Sequence, residues 1–172
     1  MNTISESGTL PAIEDFLQKK GYLAYTVRGF SMMPLLRQRK DVVMLRRKEA
    51  GERCKKYDVV LYRSGDGHNY ILHRILKVRE NDYVIAGDHN TYLEDGITDE
   101  MILGVMTSIR RDGRDITMEN TLYRLYVHLW CDFYPVRMAI LRYKPKLLGY
   151  CAAIKNKLRK TFSAPTAGEK QK

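Results

Sequence analysis

Gly29-Phe30-Ser31-Met32-Met33-Pro34 is the stretch of this 172-residue chain whose residue types and spacing could do covalent chemistry. A glycine lets the backbone approach closely or take a positive φ, and a proline three residues past the serine stiffens the exit. Such a turn can present the Ser31 hydroxyl as a nucleophile. With Gly29 shaping it, the turn can also aim the Ser31 backbone N–H at a developing oxyanion. A capping serine in an ordinary loop would carry the same residues, so the turn needs a base beside it. Four histidines are available. His68 falls in a turn-forming stretch and His128 in a helical tail. His73 lies in a strand-like run, where a histidine satisfied by a neighbour is the alternative to a base. His73, His89 and the three cysteines (Cys54, Cys131, Cys151) lack metal-ligand spacing, so neither metal nor other cofactor is expected.

An ordered set of segments follows the turn. Asp41-Val42-Val43-Met44-Leu45 comes first, then Tyr57-Asp58-Val59-Val60-Leu61-Tyr62 and Leu72-His73-Arg74-Ile75. Ala86-Gly87-Asp88-His89-Asn90 and Ile102-Leu103-Gly104-Val105 complete it. In order and spacing, from about Tyr25 to Ile109, this resembles the signal peptidase I family, within the clan that also holds the self-cleaving SOS repressors. The resemblance implies a serine endopeptidase that cleaves a leader or signal-like peptide, with small residues near the cut and the substrate extended along a strand edge. It makes Ser31 the nucleophile and His73 the base, as in the histidine-type branch of the endoplasmic reticulum and archaea. A histidine titrating near 6.5 suits that role at neutral pH. The third member implied is an acid shortly after the Gly-Asp-x-Asn turn. Asp95 is the expectation and Glu94 the alternative, because the spacing through Thr91-Tyr92-Leu93 differs from the family's. Gly87, Asp88 and Asn90 are expected to shape the turn. The chain departs from the family in two further places: Lys40 precedes Asp41 and Tyr57 precedes Asp58, where glycines are usual.

The elements that must position these residues are mostly strands. Pro11–Lys20 reads as a short helix with Ile13, Phe16 and Leu17 on one face and Gly21 as its stop. Strand patterns follow over Tyr22–Arg28, Asp41–Arg46, Tyr57–Arg63, Tyr70–Val78, Tyr83–Ala86, Ile102–Ile109 and Asp115–Thr117. Ser64-Gly65-Asp66-Gly67 closes a hairpin between the third and fourth. From Glu119 the spacing turns helical, with Leu122, Leu125, Tyr126, Leu129 and Phe133 on one stripe, interrupted by Pro135 and Pro145. The expected organisation is mainly β: an N-terminal helix (1–22), a β peptidase domain (23–118), a basic aromatic helical appendage (119–160) and a disordered tail (161–172).

Charge divides along the same line. Residues 1–118 carry a net +2 and residues 119–172 a net +8. Arginines and lysines interleave there with Tyr123, Tyr126, Trp130, Phe133 and Tyr134. That composition fits the headgroup region of an anionic membrane, although the same aromatics could simply pack on the β domain. Met1–Thr9 lacks an apolar signal-peptide core, and no run reaches the roughly 18 apolar residues of a spanning helix. The expected location is therefore peripheral to a membrane or cytoplasmic. Two other functions use the same fold: a non-catalytic peptide-binding module and an SOS-repressor-like regulator. The 28 residues before Gly29 are too few for a helix-turn-helix domain with a linker, which disfavours the regulator and, with it, nucleic acid as a partner.

Overall fold

Apolar runs at period two build an antiparallel sheet of eight strands, and helical segments flank it at both ends of the chain. The computed structural model describes residues 10–65, 67 and 69–143, with side chains from residue 13. Residues 1–9, His68, Cys151 and the rest of the appendage beyond 143 lie outside the described residues.

Helix α1 (Leu10–Lys20) buries Leu17 and packs Ile13 and Phe16 on the same core. Gly21 ends it at φ +77°, donating its N–H to the Leu17 carbonyl at 2.9 Å, a left-handed cap that glycine adopts without steric cost. The strands are β1 (Tyr22–Thr26), β2 (Val42–Arg47), β3 (Val59–Arg63), β4 (Tyr70–Val78), β5 (Tyr83–Ala86), β6 (Glu94–Ile97), β7 (Ile102–Arg111) and β8 (Arg114–Thr117). Their order across the sheet is β1-β2-β7-β3-β4-β5-β6, with β8 paired to β7. In β2, Val43 and Leu45 are buried while Val42, Met44 and Arg46 are half-buried, the alternation of a sheet with one core face. β3 is different. Its Val-Val-Leu-Tyr run is buried on both faces, Val59 and Leu61 in one cluster and Val60 and Tyr62 in the other. A continuous apolar run of this kind is what a strand covered on both sides requires.

Two features depart from the sequence expectation. β6 had no strand signal, since Glu94-Asp95-Gly96-Ile97 is short and polar, as sheet-edge strands often are. The other is in the appendage, where Pro135 does not interrupt the helical run and most of the apolar stripe faces away from the sheet. Helix α2 (Thr121–Val127) starts at Asn120, whose side chain accepts from the N–H groups of Leu122 and Tyr123. A π-helical turn (His128–Asp132) continues it, and residues 134–143 are helical again. Pro135 lies in the first turn of that last stretch, where its missing N–H is harmless, so it starts a helix and does not interrupt one. Tyr123, Val127 and Cys131 are buried in the larger core, and Tyr126, Trp130 and Tyr134 pack against it. Of the expected stripe, Leu122, Leu125, Leu129 and Phe133 are each more than half exposed, while Tyr126 packs inward.

Candidate active site

The Ser31 turn is held by its neighbours in sequence. Gly29 takes φ +79°, which a side chain would resist. Met32, Leu35 and Leu36 are buried, and Phe30 and Met33 are exposed. Met33 donates its N–H to the Phe30 carbonyl at 3.0 Å and Leu36 its N–H to Met32 at 2.9 Å. The Met33–Pro34 peptide is cis. Ser31 is left half-buried at the tip.

A second turn supports the first. Gly87–Asn90 follows β5, closed by the Asn90 N–H on the Gly87 carbonyl at 3.0 Å. The His89 N–H donates to the Ser31 carbonyl at 2.7 Å. A Cβ at Gly87 would lie 2.6 Å from that same carbonyl oxygen and 2.9 Å from Asn90 Cγ, so only glycine fits. Asp88 is buried and receives Arg74 twice, Nε and Nη2 each at 2.9 Å. Burial disfavours the Arg74 charge, but Asp88 outweighs this and holds the guanidinium well above its ordinary pKa. The residues expected to shape the turn, Gly87, Asp88 and Asn90, are all here.

His73 stands beside this assembly. Arg74 pairs with Ala86 across β4 and β5, so one further step of the register sets Gly87 opposite His73. Ser31 lines a cavity of about 120 Å³ with Tyr25, Val27, Leu61, Ile71 and Leu72; His73 does not line it. The His73 ring is buried and its Nδ1 lies 2.8 Å from Glu94 Oε1. Tyr62 donates its hydroxyl to Glu94 Oε2 at 2.5 Å and stands 3.3 Å from His73 Nδ1. A carboxylate accepts only, so Nδ1 carries the ring proton and Nε2 keeps its lone pair. Burial pushes the His73 pKa below 6.5, with Glu94 pulling the other way, and the ring is neutral at pH 7. Burial and the Glu94 bond push the Tyr62 hydroxyl up, so it remains a donor.

Asp95 is not the orienting acid. It is exposed and bound by Arg79 Nη2 at 2.6 Å, on the far side of the strand from His73. Neighbouring residues in a strand point to opposite faces, and the face toward His73 belongs to Glu94. Tyr62 is the member that the sequence reading missed. Its signal was available: a tyrosine in the strand that pairs with β4, two residues from the Val60 that faces His73. Ser31 Oγ and His73 Nε2 are not hydrogen-bonded to each other, and neither has another partner among the described residues. The Ser31 N–H is likewise without a backbone partner among them. Among the described residues no group of three or more His, Cys, Asp or Glu side chains is placed to hold a metal ion.

Compared with known proteins, the chain matches no family model, and no curated protein or solved structure gives a significant match.

Proposed function

We propose that the protein is a serine endopeptidase resembling signal peptidase I, which cleaves a leader or signal-like peptide. The observation that carries this is the oriented histidine: Nδ1 of His73 held by Glu94, Glu94 held by Tyr62, and Nε2 left basic on the strand beside the Ser31 turn. Ser31 Oγ attacks the scissile carbonyl while His73 Nε2 takes its proton. The proton then passes to the leaving amine, and water hydrolyses the acyl-enzyme by the reverse relay. The Ser31 N–H is the oxyanion donor. The cavity beside Ser31 holds only a few waters' volume at ~30 Å³ each, which suits a small side chain next to the cut. β1 is an edge strand, and Tyr25, Val27 and Arg28 line that cavity, so an extended peptide laid along this edge delivers its side chain there. Incubation with a library of extended peptides tests the reading. The wild type cuts after small residues, and Ser31→Ala and His73→Ala each lose at least ~10³ of the rate. Equal cleavage by Ser31→Ala would remove the serine from the mechanism.

The location in this reading is the surface of an anionic membrane. Among the described residues no helix is long and apolar enough to cross one. The appendage instead exposes Leu122, Leu125, Leu129, Phe133, Val136 and Ile140 along successive turns, each more than half exposed. A run of large apolar side chains in water marks a surface that something covers. The net +8 of residues 119–172 matches anionic headgroups, and apolar insertion with cationic flanks is how helices lie in such an interface.

A further inference from the structure

The peptide group that carries the Ser31 carbonyl's partner is itself gripped from the appendage. Trp130 Nε1 donates to the Asp88 carbonyl oxygen at 2.8 Å. That carbonyl and the His89 N–H belong to one peptide unit, and the His89 N–H donates to the Ser31 carbonyl at 2.7 Å. A chain of two hydrogen bonds thus runs from the indole, through one planar amide, to the backbone of the nucleophile. Hydrogen bonds arranged head to tail through an amide polarise and strengthen one another. The same helical segment holds the side chain of Asp88 as well. Tyr126 donates its hydroxyl to Asp88 Oδ2 at 2.9 Å, and its ring stacks on Trp130 at 5.9 Å between centroids. Arg74, which closes on both Asp88 oxygens, also donates to the Tyr123 hydroxyl at 3.0 Å.

We infer that Trp130 is a positioning residue for Ser31, and that the appendage is a structural part of the peptidase site as well as its carrier. The inference rests on the peptidase reading for its effect on rate, but the strut can be tested without turnover. Among the described residues, Trp130 is the donor to the Asp88 carbonyl. Asp88 and His89 sit in a turn of four residues with no ladder of its own, so the Asp88 carbonyl is fixed by Trp130 and the His89 N–H by Ser31. Losing the indole N–H removes one of the two hydrogen bonds that hold this peptide, and the His89 bond to the Ser31 carbonyl weakens with it. Substrate binding, which lies along β1, is untouched. The signature is therefore a fall in kcat with KM unchanged.

Trp130 is the only tryptophan in the chain, so replacing tryptophan biosynthetically with its sulfur isostere, 3-benzothienylalanine, alters this position alone. The isostere keeps the ring's shape and deletes the N–H; Trp130→Phe provides the genetic counterpart. Two readouts are taken on the full-length protein: hydrogen exchange of the His89 amide, and the second-order rate of Ser31 phosphonylation by a fluorophosphonate. One hydrogen bond corresponds to about tenfold, so the His89 amide is expected to exchange about tenfold faster and Ser31 to react about tenfold slower. The Ile75 amide, bonded to the Asp58 carbonyl just before β3 at 2.8 Å, keeps its rate. Thr121→Ala, exposed at the start of the same helical segment, alters neither readout. Wild-type exchange at His89 in the isostere-containing protein overturns the strut. Faster exchange with unchanged phosphonylation and kcat overturns the positioning role. An unreactive Ser31 in the wild type brings down the peptidase reading itself, a result distinct from either.

Discussion

Replacing Glu94 by glutamine tests the site at its most specific point. Glu94 accepts twice, from Tyr62 on Oε2 and from His73 on Oε1. Glutamine has one acceptor oxygen and one NH2. If the oxygen stays with Tyr62, the NH2 faces His73 Nδ1, which must then accept, and the ring proton moves to Nε2. The base is lost, a wrong-tautomer defect worth on the order of 10⁴ in kcat. If the oxygen turns to His73, the tautomer survives but the imidazolium formed in the transition state loses its counter-charge, which leaves a defect nearer 10². The expected fall in kcat/KM is therefore between about 10² and 10⁴. Asp95→Asn, which touches only Arg79, stays within about twofold, as surface substitutions do. The pH profile has a sign as well. The His73 pKa is already lowered by burial and raised in part by Glu94. The wild-type acid limb of kcat/KM therefore lies below pH 6.5, and Glu94→Gln moves it lower still, because burial is then opposed only by the weaker pull of Asp88. The assay is kcat/KM across pH on one cleaved peptide for both variants. A Glu94→Gln enzyme within threefold of wild type, or an Asp95→Asn enzyme that collapses, refutes the assignment.

Gly87→Ala must open the gap to the Ser31 carbonyl from 2.6 Å to at least the 3.4 Å of ordinary contact. A shift approaching 1 Å at a nucleophile costs about 10²-fold in rate, so phosphonylation slows by that order while far-ultraviolet circular dichroism stays native. Asp41 is fully buried between Arg37 and Arg111, and although burial raises its pKa, the hydrogen bonds from those arginines outweigh this and set it below 3.8. Asp41→Asn should cost about 3 kcal/mol in a denaturant titration at pH 7. This difference shrinks as pH falls through the lowered folded-state pKa, because the wild-type carboxylate then protonates too. Leu125→Glu with Leu129→Glu should abolish flotation with anionic liposomes while phosphonylation of Ser31 is unchanged; flotation equal to wild type would remove the membrane surface as the stripe's partner.

Most of the sheet was legible in the sequence because strands such as Val42–Arg47 and Tyr70–Val78 write their burial directly as apolar pattern. The hairpin, α1 and the start of the appendage were legible for the same reason. β6 was not, since an edge strand of Glu, Asp and Gly has little apolar surface to bury. That gap also hid the third site residue: without β6 paired to β5, nothing says whether Glu94 or Asp95 faces His73. The helical stripe misled in a different way. Leu122, Leu125 and Leu129 show a clear period, but the sheet takes Tyr123, Tyr126 and Cys131, and the two tyrosine hydroxyls can satisfy the buried Arg74–Asp88 pair. Tyr57 stands where the resemblance to signal peptidase I leads one to expect a glycine. It takes φ +80°, a costly conformation for a side chain. That side chain is a tether to the appendage, bonded to Asp132 and set edge-on to His128 at 5.3 Å. A glycine would relieve the backbone and lose that tether.

The central claim is that Ser31 is a nucleophile activated by His73. Intact mass and peptide mapping after fluorophosphonate treatment test it most directly. The account predicts a single adduct on Ser31, absent from Ser31→Ala and slowed at least ~10²-fold in His73→Ala. An unmodified wild type, or undiminished labelling of Ser31→Ala, would contradict it.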